Sequence, residues 1–121
     1  METKKKILIV EDEPFLLKTV ANRLIEDGFI IDSATDGNEA LERIKAGDYS
    51  LMLLDILMPG KDGISVLKYI KENNLSVPTI VFTNLSKGDI EKDLREFNIK
   101  GYFLKASHSI DEVAKMVSVF A

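Results

Sequence analysis

The 121-residue sequence has no cysteine and a single histidine, His108. Without thiols there are no disulfides, no thiolate nucleophiles and no cysteine-ligated zinc, a composition that fits a reducing compartment. Long hydrophobic runs are also missing, since none approaches the roughly 18 residues that a spanning helix needs. The opening METKKKILIVEDE sets a basic patch before four apolar residues, and Glu11, Asp12 and Glu13 end that run well short of a signal-peptide core. No membrane association is expected, and a cytoplasmic location is. Positive charge is in short supply: 16 Lys and Arg face 20 Asp and Glu, for a net charge of -4. Direct nucleic-acid binding calls for a basic face and is not expected. The one basic cluster, Lys4 to Lys6, reads as a solvated lead-in to a first strand.

What is present is the material of one globular domain over residues 1–121, 45% hydrophobic and 30% charged. Short apolar runs predict strands at Ile7 to Val10, Phe29 to Ala34, Leu51 to Leu54, Thr79 to Thr83 and Tyr102 to Leu104. Between them run stripes at helical spacing: Leu17, Ala21, Leu24; Ala40, Leu41, Ile44; Ile64, Leu67, Ile70; Ile90, Leu94, Phe97; and Ile110, Val113, Val117, Phe120. Pro14 suits a first helical turn, Gly28 and Gly47 follow helix ends, and Asp36 or Asn38 is placed to cap the second helix. Pro78 precedes the fourth strand, where a missing amide is tolerated. Alternation of doubly apolar strands with helices predicts an α/β fold, a (βα)5 doubly wound parallel sheet with helices on both faces.

In such sheets, ligands bind beyond the carboxyl ends of the strands. Glu11, Asp12 and Glu13 stand there after strand one, Asp55 after strand three, Thr83 after strand four and Lys105 after strand five; strand two ends in nothing reactive. If strands one and three are neighbours, Glu11, Asp12 and Asp55 share a crevice in which their charges repel. A cation resolves the conflict, and an all-oxygen donor set selects Mg²⁺, Mn²⁺ or Ca²⁺. Mg²⁺ shares its shell with phosphate oxygens, so Asp55 becomes a candidate in-line nucleophile toward phosphorus. Lys105 and the Thr83 hydroxyl arrive from neighbouring strand ends to meet the developing charge, and amides of the ILMPG loop are candidate additional donors.

These residues give the chain a resemblance, over essentially its whole length, to the receiver domain of two-component response regulators. ILIVEDE corresponds to the acidic pair Glu11 and Asp12, LLDILMPGKDG to the phosphoacceptor Asp55, IVFTN to the switch hydroxyl Thr83, and GYFLKA to Lys105. The resemblance implies a flavodoxin-like strand order 2-1-3-4-5 and Mg²⁺ held by Glu11, Asp12, Asp55 and the main-chain carbonyl of Leu57. It implies a phosphoryl group taken from a sensor histidine kinase, a histidine phosphotransfer protein or a small phosphodonor, with the receiver catalysing the transfer. Thr83 and Tyr102 would be the switch pair. Helix four, strand five and helix five, roughly Lys87 to Phe97, Tyr102, Phe103 and Ile110 to Phe120, would form the surface for a downstream partner or a second copy.

Two departures from the pattern matter. Ala106 follows Lys105 where receivers usually carry proline, often after a cis bond, so either the bond is trans or strain is stored there. Leu57 and Leu85, two residues beyond Asp55 and Thr83, are apolar where receivers border the path of attacking water, which predicts slow self-dephosphorylation. Asp62 and Gly63 read as a turn and helix start, Glu13 as solvated, and His108 as a surface residue without a relay role. Ser109 or Ser107 would cap the last helix, with Glu112 three residues beyond Ser109. Three other functions fit less well. A Mg²⁺-dependent phosphohydrolase would want an acid where Leu57 stands, a flavodoxin-like carrier would want a phosphate loop where the acids stand, and a degenerate receiver acting as a scaffold is favoured only by Ala106. With the sequence ending at Ala121, just past the last helix, it contains no output domain, and either a single-domain receiver or an excised one is expected.

Overall fold

The computed structural model describes residues 4–58 and 62–121, without the side chains of residues 87 and 89. Strands and helices alternate: β1 Lys6–Val10, α1 Pro14–Glu26, β2 Ile30–Ala34, α2 Gly37–Ala46, β3 Leu51–Leu54, α3 Gly63–Glu72, β4 Thr79–Thr83, α4 Lys87–Leu94, β5 Ile99–Leu104 and α5 Ile110–Phe120. The five strands pair in parallel in the order β2-β1-β3-β4-β5. No helix among the described residues is long and apolar enough to cross a membrane.

Strand periodicity splits the core into two layers. Leu8, Val10, Met52, Leu54 and Val81 pack under α2, α3 and α4, whereas Ile7, Ile9, Leu51, Leu53, Ile80 and Phe82 pack under α1 and α5. Every residue of β3 and β4 is buried, which explains why both are apolar apart from Thr79 and Thr83 at the ends of β4, while β2 and β5 are half-exposed edges. The second layer is tied at its rim by an Arg23–Asp111 ion pair between α1 and α5.

Helix ends follow from local chemistry. Asp36 caps α2 by accepting from the Glu39 amide at 2.8 Å, and Ser109 and Glu112 form a reciprocal capping box on α5. Gly28, at φ +98°, closes α1: its amide bonds Ile25 O at 3.0 Å, and the Phe29 amide bonds Leu24 O at 3.1 Å. That pair of bonds requires the left-handed backbone that glycine adopts without strain.

Several expectations need adjustment. β5 begins at Ile99, three residues earlier than its apolar run, because Ile99 pairs with Thr79 across a register irregularity that polar Lys100 and small Gly101 disguise in the sequence. α4 stops at Leu94, so Phe97 meets the core from the following turn instead of from the helix. Phe120 ends its stripe exposed, beyond the edge of the layer beneath α5.

Gly63 starts α3 in contact with the segment that carries Asp55. A Cβ there would lie 2.8 Å from both Asp55 O and Ile56 Cα, which are backbone atoms with little freedom to move. Gly63→Ala is therefore expected to lower unfolding free energy by about 1–3 kcal/mol, measured by urea denaturation. An unchanged midpoint would show that this approach is looser than the backbone geometry implies.

Candidate functional site

β1, β2 and β3 end level with one another, β4 and β5 run two residues further, and backbone bonds continue one residue past β1, β3 and β5. Glu11 N–H donates to Ala34 O at 2.9 Å, Asp55 N–H to Val10 O at 3.0 Å, and Lys105 N–H to Thr83 O at 2.8 Å. These bonds fix three charged residues on one rim before any side chain is considered. Glu11 and Asp55 are buried, each with 4% exposure, and Asp12 faces solvent. Carboxylate oxygens of all three lie within 4.8 Å of one another, all hard donors of the kind that suits a small divalent cation.

Lys105 supplies the positive charge. β5 lies two strand spacings from β3, about 10 Å, which only a long side chain crosses. Its ammonium sits 2.7 Å from Asp55 Oδ2 and 2.6 Å from Glu11 Oε1. Asp55 Oδ1 accepts the Leu57 amide at 3.0 Å, and Glu11 Oε2 accepts the Glu13 amide at 3.1 Å. Both buried carboxylates are thus oriented from two sides. Burial opposes the charged form of Lys105, but its bonds to Asp55 and Glu11 outweigh that and raise its pKa above the ordinary value. Burial raises the Glu11 pKa, and the Lys105 and Glu13 hydrogen bonds offset this only in part.

Thr83 is fully buried at the end of β4, and its hydroxyl accepts the Leu85 amide at 3.4 Å. The Leu85 carbonyl in turn accepts the Tyr102 hydroxyl, whose ring packs against the α2–α4 layer. Leu85 therefore joins Thr83 to Tyr102 through its two backbone groups. Leu57 stands beside Asp55 with half of its surface exposed. Of the ILMPG loop, residues 59 and 60 lie outside the described residues; within the rest, the Leu57 amide is aimed at Asp55.

Glu13 is exposed, as expected, and its carboxylate also accepts the Phe15 and Leu16 amides at 3.2 and 2.6 Å and so caps α1. His108 is half-buried instead of lying on the open surface, with Nδ1 3.2 Å from Leu104 O and its ring edge-on to Phe103 at 4.9 Å. An acid immediately before Pro14 was the available sign of the first role; nothing local to the sequence signals the second. The Lys105–Ala106 bond is trans.

A family model described as the response regulator receiver domain matches residues 7–118. The chain belongs to this family. Among curated relatives, the transcriptional regulatory protein DltR of Streptococcus agalactiae is 40% identical over 82 residues, 68% of this chain and 37% of DltR. The transcriptional activator protein IrlR of Burkholderia pseudomallei is 35% identical over 115 residues, 94% of this chain and 49% of IrlR. The receiver thus spans less than half the length of these two relatives. Among solved structures, a Francisella response regulator receiver domain superposes with a TM-score of 0.87 at 30% identity, covering 97% of this chain and 96% of that one. TrrA of Thermotoga maritima, solved in complex with Mg(2+)-BeF, gives a TM-score of 0.83 at 34% identity and covers 97% and 99%. The receiver's acidic cluster, Glu11, Asp12 and Asp55, has the donor set and spacing to bind a metal ion.

The raised Glu11 pKa sets a stability signature for the receiver. The folded protein binds that proton more tightly than the unfolded chain, so ionised Glu11 subtracts stability once pH climbs above 4.5 through the folded value. Glu11→Gln is expected to melt a few degrees higher than wild type at neutral pH in a metal chelator. The gap should close as pH falls toward 4.5. A variant that melts lower at neutral pH would show that the bond to Lys105 outweighs desolvation.

Proposed function

We propose that this receiver is a phosphoacceptor signalling domain in which Asp55 takes a phosphoryl group from a sensor histidine kinase or a histidine phosphotransfer protein. The observation that carries this reading is the Lys105 ammonium 2.7 Å from the Asp55 carboxylate, at the rim of an acidic cluster built for a cation. In the transfer, an Asp55 oxygen forms a bond to phosphorus as the bond from phosphorus to the donor imidazole breaks. The imidazole leaves with the electron pair and is reprotonated by solvent. Each Asp55 oxygen is engaged by one donor, and a carboxylate oxygen keeps a second acceptor site with which to attack. Lys105 then neutralises phosphoryl oxygens, and the Thr83 hydroxyl offers a proton to another. Glu11, Asp12, Asp55 and the Leu57 carbonyl are the proposed holders of Mg²⁺, which would supply further charge neutralisation at phosphorus.

Leu85 connects this chemistry to the outside. A phosphoryl group that accepts the Thr83 hydroxyl proton draws toward Asp55 the same hydroxyl that accepts the Leu85 amide, and the Leu85 backbone also holds Tyr102. We assign Thr83 and Tyr102 as the switch pair, with the α4, β5 and α5 face as the surface read by a downstream protein or a second copy. The phosphodonor side is a shallow depression of about 610 Å³ beside Lys105, rimmed by Phe15, Leu16, Ala106, His108 and Ile110. Phe15, 78% exposed, gives it a large open apolar side chain. A cytoplasmic location accompanies the kinase assignment. A phosphohydrolase reading is disfavoured because apolar Leu57 stands where a general acid would be needed.

Incubation with Mg²⁺ and a small acyl phosphate, followed by intact mass measurement, is expected to show gain of one labile phosphoryl group. Asp55→Asn should gain none, and chelation should abolish the gain in wild type. Many turnovers of phosphate release would instead indicate a hydrolase. The apolar Leu57 and Leu85 slow attack by water, so a Leu57→Asn, Leu85→Glu double variant should shorten the label's lifetime by about tenfold, or ~1.4 kcal/mol of barrier. An unchanged decay would place the control of hydrolysis elsewhere.

A further inference from the structure

We propose that His108 is a positioning residue for Lys105, fixing the turn from which the ammonium reaches the two carboxylates; this rests on the phosphoacceptor reading, in which Lys105 acts at phosphorus. Lysine has a long flexible side chain whose immobilisation costs about 1.5–2 kcal/mol of rotamer freedom. Holding its ammonium within 2.7 Å of both Glu11 and Asp55 therefore needs a rigid backbone origin. On one side, that origin is secured by the Lys105 amide on Thr83 O. On the other side the chain runs through Ala106 and Ser107, both exposed, with a trans bond and no proline to restrain it.

What restrains the turn is the Leu104 carbonyl, immediately before Lys105. It accepts the Ser107 amide at 3.1 Å and lies 3.2 Å from His108 Nδ1. A carbonyl only accepts, so Nδ1 carries the proton in this contact. The imidazole also stands edge-on to Phe103, with centroids 4.9 Å apart and planes at 83°, and Phe103 packs against the α1–α5 layer. One side chain thus grips the two residues before Lys105. Its own backbone leads directly into Ser109, the capping-box residue that fixes the start of α5. The turn is braced between β5 and α5, and His108 is the brace.

The test compares phosphorylation rates with a small acyl phosphate and Mg²⁺ in two backgrounds, wild type and Lys105→Gln. His108→Ala is expected to slow wild type by about tenfold, the scale of a modest misplacement of a reacting group, and to add nothing in Lys105→Gln. Equal slowing in both backgrounds, or no slowing in wild type, overturns the proposal, because a merely structural histidine would act irrespective of the lysine. His108→Asn retains an N–H donor near the Nδ1 position, and His108→Phe retains the ring without the donor. Asn near the wild-type rate with Phe slow supports the hydrogen-bonded brace, and the reverse order contradicts it. This pair also decides the matter should His108→Ala fail to fold. Wild-type protein that takes no phosphoryl group removes the phosphoacceptor reading itself, whereas normal wild-type labelling with a fast His108→Ala removes only the role of His108.

Discussion

One ammonium group organises the top of this molecule. Lys105 crosses from the edge strand β5 to reach Asp55 at the end of β3 and Glu11 at the end of β1. Two buried acids side by side repel each other and lose hydration, and a charged lysine with short bonds to both is the compensation that the described residues show. The backbone ladder sets the distances that make this bridge possible, since the bonds extending β1, β3 and β5 each stop at one of the three residues. The bridge also defines a reactive arrangement, because the carboxylate that meets phosphorus already faces the cation that meets the phosphoryl oxygens.

Much of the fold could be read from the sequence. Apolar runs bounded by Glu11, Ser50, Asp55, Pro78 and Asn84 mark β1, β3 and β4 nearly to the residue, because strands buried on both faces carry few polar positions in their interiors. The edge strand β5 is longer than its apolar run, since Lys100 and Gly101 are tolerated where one side of the sheet meets solvent. The layer order followed from alternation, whereas the order 2-1-3-4-5 came from family resemblance and not from periodicity.

The candidate site was legible as a set of residues but not as a geometry. Glu11, Asp12, Asp55, Thr83 and Lys105 all follow strands, and parallel sheets bring such positions to one rim. The double reach of Lys105, the bridging role of Leu85 and the inward turn of His108 depend on neighbours distant in sequence. The Leu85 contacts run through backbone groups, which every residue carries, so no residue type could announce them. Glu13 shows the same limit at short range: three consecutive acids look alike until the helix start claims one of them.

The central claim is that Asp55, and no neighbouring acid, forms the bond to phosphorus. An acyl phosphate is reduced by borohydride to an alcohol, which leaves a permanent mark on the aspartate that carried it. Protein treated with Mg²⁺ and a small acyl phosphate, reduced and mapped by peptide mass spectrometry should carry homoserine in place of the aspartate at position 55. Homoserine in place of Asp12, or no reduced residue despite a phosphoryl mass gain, would contradict the account.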